Sequence, residues 1–222
     1  MFRSPSHNFK GSISLPALQS KSTTATIKDF THCAGHTSPL AEIRCDDGND
    51  YTVIAAEGAK VGDIIQIGEN AEIKLGSILP LKKIPEGTMV FNIELQSGDG
   101  GKMVRSSGTF AKIFAKTETK VTLILPSKKQ KIITGDCRAI IGVAAGGSRT
   151  EKPFMKAGIK HYAMRARGKF WPRVSATAMN AVNHPFGGKR TSRKGQPTIA
   201  PRFAPPGRKV GMFKPATTGR GK

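Results

Sequence analysis

Basic and aromatic side chains alternate at residues 165–173, which read Arg-Ala-Arg-Gly-Lys-Phe-Trp-Pro-Arg. A guanidinium group can bind a phosphate through two parallel hydrogen bonds, and an aromatic ring can stack on a nucleobase. Trp171 is the only Trp of the chain, and we expect it to pack into a neighbouring domain because large aromatic side chains are usually buried. The cations Arg165, Arg167, Lys169 and Arg173 are predicted to contact phosphate.

The last 71 residues, 152–222, hold seventeen Lys and Arg and no Asp or Glu. All fifteen acidic residues lie at positions 29–151, so +17 of the formal net charge of +21 belongs to this tail. Nine Gly and eight Pro interrupt the tail, and it has no long apolar face, which argues against binding to an anionic membrane. Dense positive charge without internal counter-charge therefore predicts a nucleic-acid partner.

Paired cations next to Gly or Pro recur further along the tail. Such sequences predict extended arms that follow an irregular anionic surface, which suits folded RNA better than a DNA groove. The predicted phosphate contacts in these arms are Lys189, Arg190, Arg193, Lys194, Arg202, Arg208 and Lys209.

Residues 23–146 read as short β runs separated by turn residues, and this pattern predicts an all-β fold. The predicted strands are 24–27, 41–44, 51–55, 63–67, 90–95, 102–105, 109–116, 121–125, 131–134 and 139–143. Their regular spacing is typical of two small barrels or sandwiches. Residues 78–85 are interpreted as the linker between them, and residues 160–169 as one or two helical turns.

Three cysteines, an odd number without framework spacing, indicate reduced thiols in a cytosolic protein. No apolar run approaches the roughly 18–20 residues of a membrane span, and the first ten residues lack the apolar region of a secretion signal. His32, Cys33, His36 and Cys45 offer ligands that zinc prefers. Their spacing matches no paired-ligand pattern, so we interpret them as separate loop residues and predict no metal site.

The sequence Ala-Met-Asn-Ala-Val-Asn-His-Pro-Phe-Gly-Gly at residues 178–188 closely resembles the signature of the ribosomal protein L2 family, in its archaeal and eukaryotic form. Nearly the whole chain shares the resemblance, through motifs at residues 3–7, 79–88, 142–147, 151–153, 171–173 and 204–211. The resemblance implies an OB-fold barrel, then an SH3-like barrel, then an extended basic C-terminal arm.

Four parts of the chain follow from this resemblance. They are an N-terminal rRNA-binding segment (1–22), an OB-fold RNA-binding domain (23–79), an SH3-like barrel (80–157) and a C-terminal rRNA-binding arm (158–222). Arg3 and His7 would lie on the rRNA-binding side of the first segment. The loop at residues 180–188 would reach toward rRNA near the peptidyl-transferase centre, with Asn180, Asn183 and His184 as specific polar contacts.

The implied function is that of a structural constituent of the large ribosomal subunit. Such a protein binds rRNA as a primary binder and supports subunit association and the architecture around the peptidyl-transferase centre. The expected partners are large-subunit rRNA, neighbouring ribosomal proteins and the small subunit at the interface, without a membrane or a homo-oligomer. The expected location is the cytoplasm, and no cofactor is expected beyond Mg²⁺ as a counterion of the rRNA.

Two alternatives remain. In the first, His184 is the general base of peptidyl transfer, but a base needs reach and a tuned pKa, often with a carboxylate that orients its ring. Here the neighbour is Asn183, where relatives often have Asp, and no carboxylate side chain follows Glu151. We therefore predict that the protein is not an enzyme. The second alternative is a free RNA chaperone, which predicts a soluble pool bound to mixed RNAs.

Overall fold

The computed structural model of the chain describes residues 6, 8–16, 22–184, 187–188 and 203. The chain divides into two compact units, Met1–Lys169 and Phe170–Lys222. All strands and the single α-helix of the described residues lie in the first unit. No helix in this described part of the chain is long and apolar enough to cross a membrane.

Ten short strands form one continuous sheet in the first unit. They are β1 (Thr23–Thr31), β2 (Leu40–Cys45), β3 (Asp50–Ile54), β4 (Ile64–Ile67), β5 (Ile78–Pro80), β6 (Met89–Phe91), β7 (Ala111–Lys116), β8 (Lys120–Ile124), β9 (Gln130–Thr134) and β10 (Arg138–Ile141). Their order is β3-β2-β1-β4-β5-β10-β6-β7-β8-β9, and every pairing is antiparallel except that of β4 with β5. Within the described residues β3 and β9 each pair with one strand only, so the sheet is not closed. The prediction of an all-β fold is confirmed.

Period-two alternation explains why these segments become strands. In β8 the side chains of Val121 and Leu123 are buried, whereas Lys120 is exposed and Thr122 is half-buried. Successive side chains of a strand point to opposite faces, so this sequence buries one face and leaves the other toward solvent. The same pattern runs through β2 and β7, and nine of the ten predicted strands overlap a strand of the structure.

The predicted strand at residues 102–105 is wrong. Only Met103 pairs there, through an isolated antiparallel bridge to Ile93. The next residue, Val104, has φ of +54°, a left-handed conformation that is unusual for a β-branched residue and turns the chain out of the extended direction.

The predicted linker at residues 78–85 forms part of the core instead. It contains β5 and a single 3₁₀ turn, Leu81–Lys83. Ile78, Leu79, Leu81 and Ile84 are all buried, and the Leu81 N–H donates to the carbonyl oxygen of Cys137 at 2.8 Å. The boundary predicted between residues 79 and 80 falls within β5.

The described residues bury two hydrophobic clusters, and three strands contribute to both. In β5, β10 and β6, one set of side chains enters the first cluster, namely Ile78, Ile140 and Phe91. The side chains next to them along the chain enter the second cluster, namely Leu79, Ala139, Ile141 and Val90. These three strands are therefore a shared layer between the two cores.

Helical turns predicted at residues 160–169 are confirmed, although the helix begins earlier. Helix α1 (Ala157–Ala166) spans ten residues and buries none of them. No acidic residue occupies its first turn, whereas Arg165 lies in its last turn. A cation there interacts favourably with the negative end of the helix dipole.

A buried ion pair lies beside the shared layer. Arg138 of β10 is 2% exposed and Glu94 is fully buried, and Nη2 of Arg138 lies 2.7 Å from Oε1 of Glu94. Glu94 also accepts a hydrogen bond from the Arg138 backbone N–H at 2.9 Å and one from the Gly100 N–H at 3.3 Å. The Nη1 group of Arg138 donates to the carbonyl oxygen of Pro16, which fastens the N-terminal segment to the sheet.

Replacing Glu94 by Gln will leave the Arg138 guanidinium buried without a counter-charge. Breaking such a pair from one side destabilises a protein by about 3–5 kcal/mol. We expect the Glu94→Gln full-length chain to lose free energy of unfolding in this range, measured by urea denaturation. Arg44→Gln is the matched control, because Arg44 pairs with Asp50 on the exposed surface and its loss should have a much smaller effect. Equal, small losses in both variants would contradict the role assigned to the buried pair.

Candidate nucleic-acid interface

The C-terminal end of α1 is shaped by a glycine. Gly168 has φ of +64°, which residues with a Cβ rarely adopt. Its N–H donates to the carbonyl oxygen of Arg165 at 3.1 Å, and the N–H of Lys169 donates to that of Met164 at 2.9 Å. These two bonds form a Schellman motif, which ends the helix and satisfies its last carbonyl groups. The motif therefore fixes the backbone that carries the predicted cations at this end.

Three predicted phosphate ligands meet at this helix end. Arg165 and Lys169 are exposed, and Arg167 is half-buried. Burial lowers the pKa of Arg167, and the charge of Arg149 lowers it further. Neither Arg149 nor Arg167 forms an ion pair with a carboxylate side chain among the described residues. Those residues contain every Asp and Glu of the chain. Two guanidinium groups that repel each other in this way are suited to an external phosphate.

Arg149 was missed by the sequence analysis because it precedes the acid-free tail, which starts at Lys152. It lies in a 3₁₀ turn, Gly147–Glu151, and its Nε donates to the hydroxyl of Ser107 at 3.1 Å. The Ser107 N–H in turn donates to the hydroxyl of Thr37 at 3.2 Å. These bonds hold the Arg149 side chain in place without neutralising its charge.

Arg105 and His36 lie near each other in the first unit. Burial lowers the pKa of Arg105, and the charge of Asp99 partly offsets this effect. Burial also lowers the pKa of His36, and the charge of Arg105 adds to the shift. Nδ1 of His36 is buried and has no hydrogen-bond partner within the described part of the chain. No sequence motif marks this pair, because residues 36 and 105 are distant along the chain.

An open groove of about 400 Å³ adjoins Arg105. Its lining combines apolar and hydroxyl side chains with the one guanidinium: Met103, Val104, Arg105, Ser106, Thr109, Leu125, Pro126 and Ser127. A groove of this composition can accept a flat apolar ring beside an anionic group.

The second unit contains the loop that carries Asn180, Asn183 and His184. The N–H groups of Asn183 and His184 both donate to the carbonyl oxygen of Asn180, at 3.0 and 3.2 Å. The N–H of Gly188 donates to that of Met179 at 3.2 Å. A Cβ at Gly187 would overlap the Asn180 carbonyl oxygen, so this close turn requires glycine.

This loop exposes polar side chains. Asn180 and Asn183 are exposed, and His184 is half-buried. Arg173 is also exposed, as is Phe170, whereas Trp171 is half-buried. The packing of Trp171 into another domain stays a prediction.

The remaining predicted RNA contacts lie outside the described residues. They are Arg3, His7, Lys189, Arg190, Arg193, Lys194, Arg202, Arg208 and Lys209.

The four residues considered as zinc ligands do not share one kind of position. Cys45 ends β2 rather than lying in a loop, and both Cys33 and Cys45 are buried. Burial, followed by the charges of the nearby aspartates, raises the pKa of Cys45 to about 11, which disfavours the thiolate that metals bind. The described residues contain no group of three or more potential ligands arranged for a metal ion.

Comparison with known proteins adds an independent line of evidence. The family model described as "Ribosomal Proteins L2, C-terminal domain" matches residues 74–206. A protein named large ribosomal subunit protein uL2 from Haloquadratum walsbyi is 51% identical over 221 residues, which cover 99% of this chain and 91% of the relative.

More distant archaea give the same result. The proteins of this name from Archaeoglobus fulgidus and Methanopyrus kandleri are each 45% identical, and the aligned regions cover 98% and 99% of this chain and 92% of either relative. Such identity over almost the full length shows common descent, and the chain belongs to the ribosomal protein L2 family, uL2.

Proposed function

We propose that this chain, a structural constituent of the large ribosomal subunit, is a primary rRNA-binding protein whose C-terminal third supplies most of its phosphate contacts. The observation that carries the proposal is the absence of any Asp or Glu after Glu151, alongside seventeen Lys and Arg. Each cation that neutralises a phosphate releases condensed counterions, and this release drives association.

The end of α1 supports the proposal locally. Arg165 and Lys169 are exposed there, and Arg167 shares its surroundings with Arg149 rather than with a carboxylate. The Schellman motif orders the backbone before any RNA is bound, so less conformational freedom is lost on binding. The later cations of the arm would extend the same contact, and Arg3 and His7 would add to it from the N-terminal segment.

The loop at residues 179–188 would supply specific contacts rather than bulk charge. Its backbone is closed by hydrogen bonds, and its amide side chains at Asn180 and Asn183 are exposed. Amide groups can both donate to and accept from the edges of unpaired bases, which is how RNA loops are recognised. We assign this loop to the architecture around the peptidyl-transferase centre and the protein as a whole to subunit association.

The role is structural, and His184 is not assigned to catalysis. No Asp or Glu lies in the whole second unit that could orient its ring. The partners are rRNA and neighbouring ribosomal proteins of the cytoplasmic large subunit, with the small subunit at the interface and without a homo-oligomer. Mg²⁺ enters only as a counterion of the rRNA.

Sedimentation of the native extract through a gradient, at moderate and then high salt, tests this function. The protein should migrate in stoichiometric amount with the large subunit at both salt concentrations. A spread of small complexes that dissolve at high salt would instead indicate a free RNA chaperone.

Replacing Arg165, Arg167 and Lys169 together by Gln should weaken binding of the full-length chain to large-subunit rRNA. The slope of log K against log salt is negative, and each lost phosphate contact reduces its magnitude by roughly 0.7–0.9. We therefore expect the magnitude of the slope to fall by about 2–3. Filter binding over a series of salt concentrations measures this slope.

The matched control for that variant replaces Lys28, Arg44 and Lys74 by Gln. It removes the same amount of charge, but each of these cations already pairs with a carboxylate of the chain. The control should leave the slope nearly unchanged. If both triple variants lowered it equally, net charge rather than the helix end would account for binding.

The His184→Ala chain should form large subunits that make peptide bonds at close to the normal rate. General acid–base groups typically contribute about 10²–10⁴-fold, so a loss of less than about ten-fold excludes that role. Single-turnover peptide transfer is the measurement, on subunits whose content of the variant is verified by mass spectrometry. A loss of 10²-fold or more in fully assembled subunits would establish His184 as a catalytic residue.

A further inference from the structure

The outward face of β7, β8 and β9, called here the meander face, exposes an aromatic ring in a region outside the basic tail. Phe114 is 55% exposed and Ile132 is 65% exposed. The inner face of the same strands buries Ile113, Val121 and Leu123 in the second core. The outward apolar side chains are therefore not needed to fill that core.

A β-bulge increases the number of outward side chains in β7. Ile113 pairs with Leu123 and Ala115 pairs with Thr122, so Phe114 is an extra residue between the two pairs. Both Phe114 and Ala115 are exposed as a result. Bulges redirect side chains in this way and are frequent beside functional sites.

The register of the sheet places Phe114 near Ile132. Thr122 pairs with Ala115 on one side and with Ile132 on the other, so the bulge and Ile132 flank the same position of β8. Neighbouring strands lie roughly 4.7–4.9 Å apart, so Phe114 and Ile132 lie on one face about 10 Å from each other, on either side of Thr122.

Lysines lie on and beside this face, and none of them is neutralised by an ion pair. By register Lys112 and Lys120 lie on the meander face, Lys128 and Lys129 lie in the turn between β8 and β9, and Lys131 lies opposite the buried Leu123. Residues 111–134 contain six Lys and one Glu, Glu118 in the turn between β7 and β8. Of the six, Lys116 donates to the carbonyl oxygens of Lys82 and Ile84 at 3.2 and 3.1 Å. The other five, Lys112, Lys120, Lys128, Lys129 and Lys131, are exposed. Every Asp and Glu of the chain lies among the described residues, and no ion pair there includes these five lysines.

The turn between β8 and β9 keeps a lysine where glycine would be less strained. Lys128 has φ of +63°, and its N–H donates to the carbonyl oxygen of Leu125 at 2.8 Å. A residue with a Cβ pays an energetic cost in this conformation that glycine avoids. A charged side chain at this position therefore indicates a use for the charge.

We propose that the meander face is a second RNA-binding site, which takes unpaired nucleotides with a base stacked on Phe114 and the flanking phosphates on the surrounding lysines. The inference rests on the proposed function only in taking the RNA to be rRNA. A sheet that presents an aromatic ring to an unstacked base, with cations along its border, is an established way to bind single-stranded RNA.

An acidic protein surface is the competing occupant. Protein interfaces are depleted in lysine, because its flexible and strongly hydrated side chain is costly to bury. A phosphate backbone, in contrast, can be neutralised by lysines that stay partly in water. The five exposed lysines therefore favour RNA.

The test uses the full-length chain and a fluorescent oligouridylate that contains 4-thiouridine. Its dissociation constant is measured by anisotropy at low and high salt, because electrostatic binding by the tail falls steeply with salt whereas stacking persists. Photo-crosslinked peptides, identified by mass spectrometry, should include residues 111–134. Phe114→Leu should weaken high-salt binding at least about five-fold, the lower end of the contribution of one stacked base.

Two matched variants separate stacking from other effects. Phe114→Tyr keeps the ring and should bind as tightly as the unchanged chain. Phe110→Leu alters another exposed Phe, located before β7, and should also leave binding unchanged. Denaturation midpoints equal to that of the unchanged chain verify that each variant is folded.

Four outcomes would overturn the proposal. If the oligonucleotide binds and crosslinks only to the basic tail, or if Phe114→Leu binds normally, the meander face is not an RNA site although RNA binding by the chain stands. If residues 111–134 crosslink to a neighbouring protein and not to rRNA in isolated large subunits, the face docks protein instead. If neither the oligonucleotide nor large-subunit rRNA binds, the proposed function fails together with this inference.

Discussion

The alternation of side chains along β5, β10 and β6 is the constraint on which the rest of the fold depends. Because successive side chains of a strand point to opposite faces, these strands supply apolar groups to both cores, and neither core is complete without them. Charged groups buried beside this layer must therefore neutralise each other. Glu94 and Arg138 do so with a 2.7 Å ion pair and backbone hydrogen bonds, and the same guanidinium holds Pro16 against the sheet.

Period-two patterns predicted the strands that have one buried and one exposed face, such as β2 and β8. Burial of one face requires apolar and polar residues to alternate, and this alternation is visible in the sequence. The pattern failed at β5, where both faces are buried. In β5 all three residues are buried, so the segment reads as a short apolar run that ends in Pro80, without alternation. It failed again at Val104, since nothing in the local sequence indicates a left-handed β-branched residue. Tertiary contacts decide both positions.

The candidate interface was predictable to the extent that it depends on composition. The absence of acidic residues identifies the tail as a candidate RNA-binding segment without any knowledge of the fold. Gly168 is a local sequence signal for the end of the helix that carries Arg165 and Lys169. Arg149 has no such signal, because its proximity to Arg167 comes from the folding of the first unit, in which a 3₁₀ turn carries Arg149. The meander face was missed for a related reason. Alternation alone places Phe114 outward, but only the bulge, which the sequence does not show, brings Ala115 to the same face.

The distribution of counter-charge along the chain determines which properties of the protein depend on charge screening by salt. Binding of anions by the tail depends on it, whereas apolar burial in the two cores does not. Some cations of the first 151 residues pair with carboxylates, as at Asp50, where hydrogen bonds from Arg44 and Lys28 hold the pKa of the carboxyl group well below its ordinary value. The cores beneath these pairs are apolar, and screening of charges does not weaken apolar burial. The tail has no carboxylate side chains of its own, so its dense positive charge attracts anions from outside the chain. Under the proposed function, attachment to RNA is therefore the step that salt controls, and apolar burial stabilises the two cores independently of it.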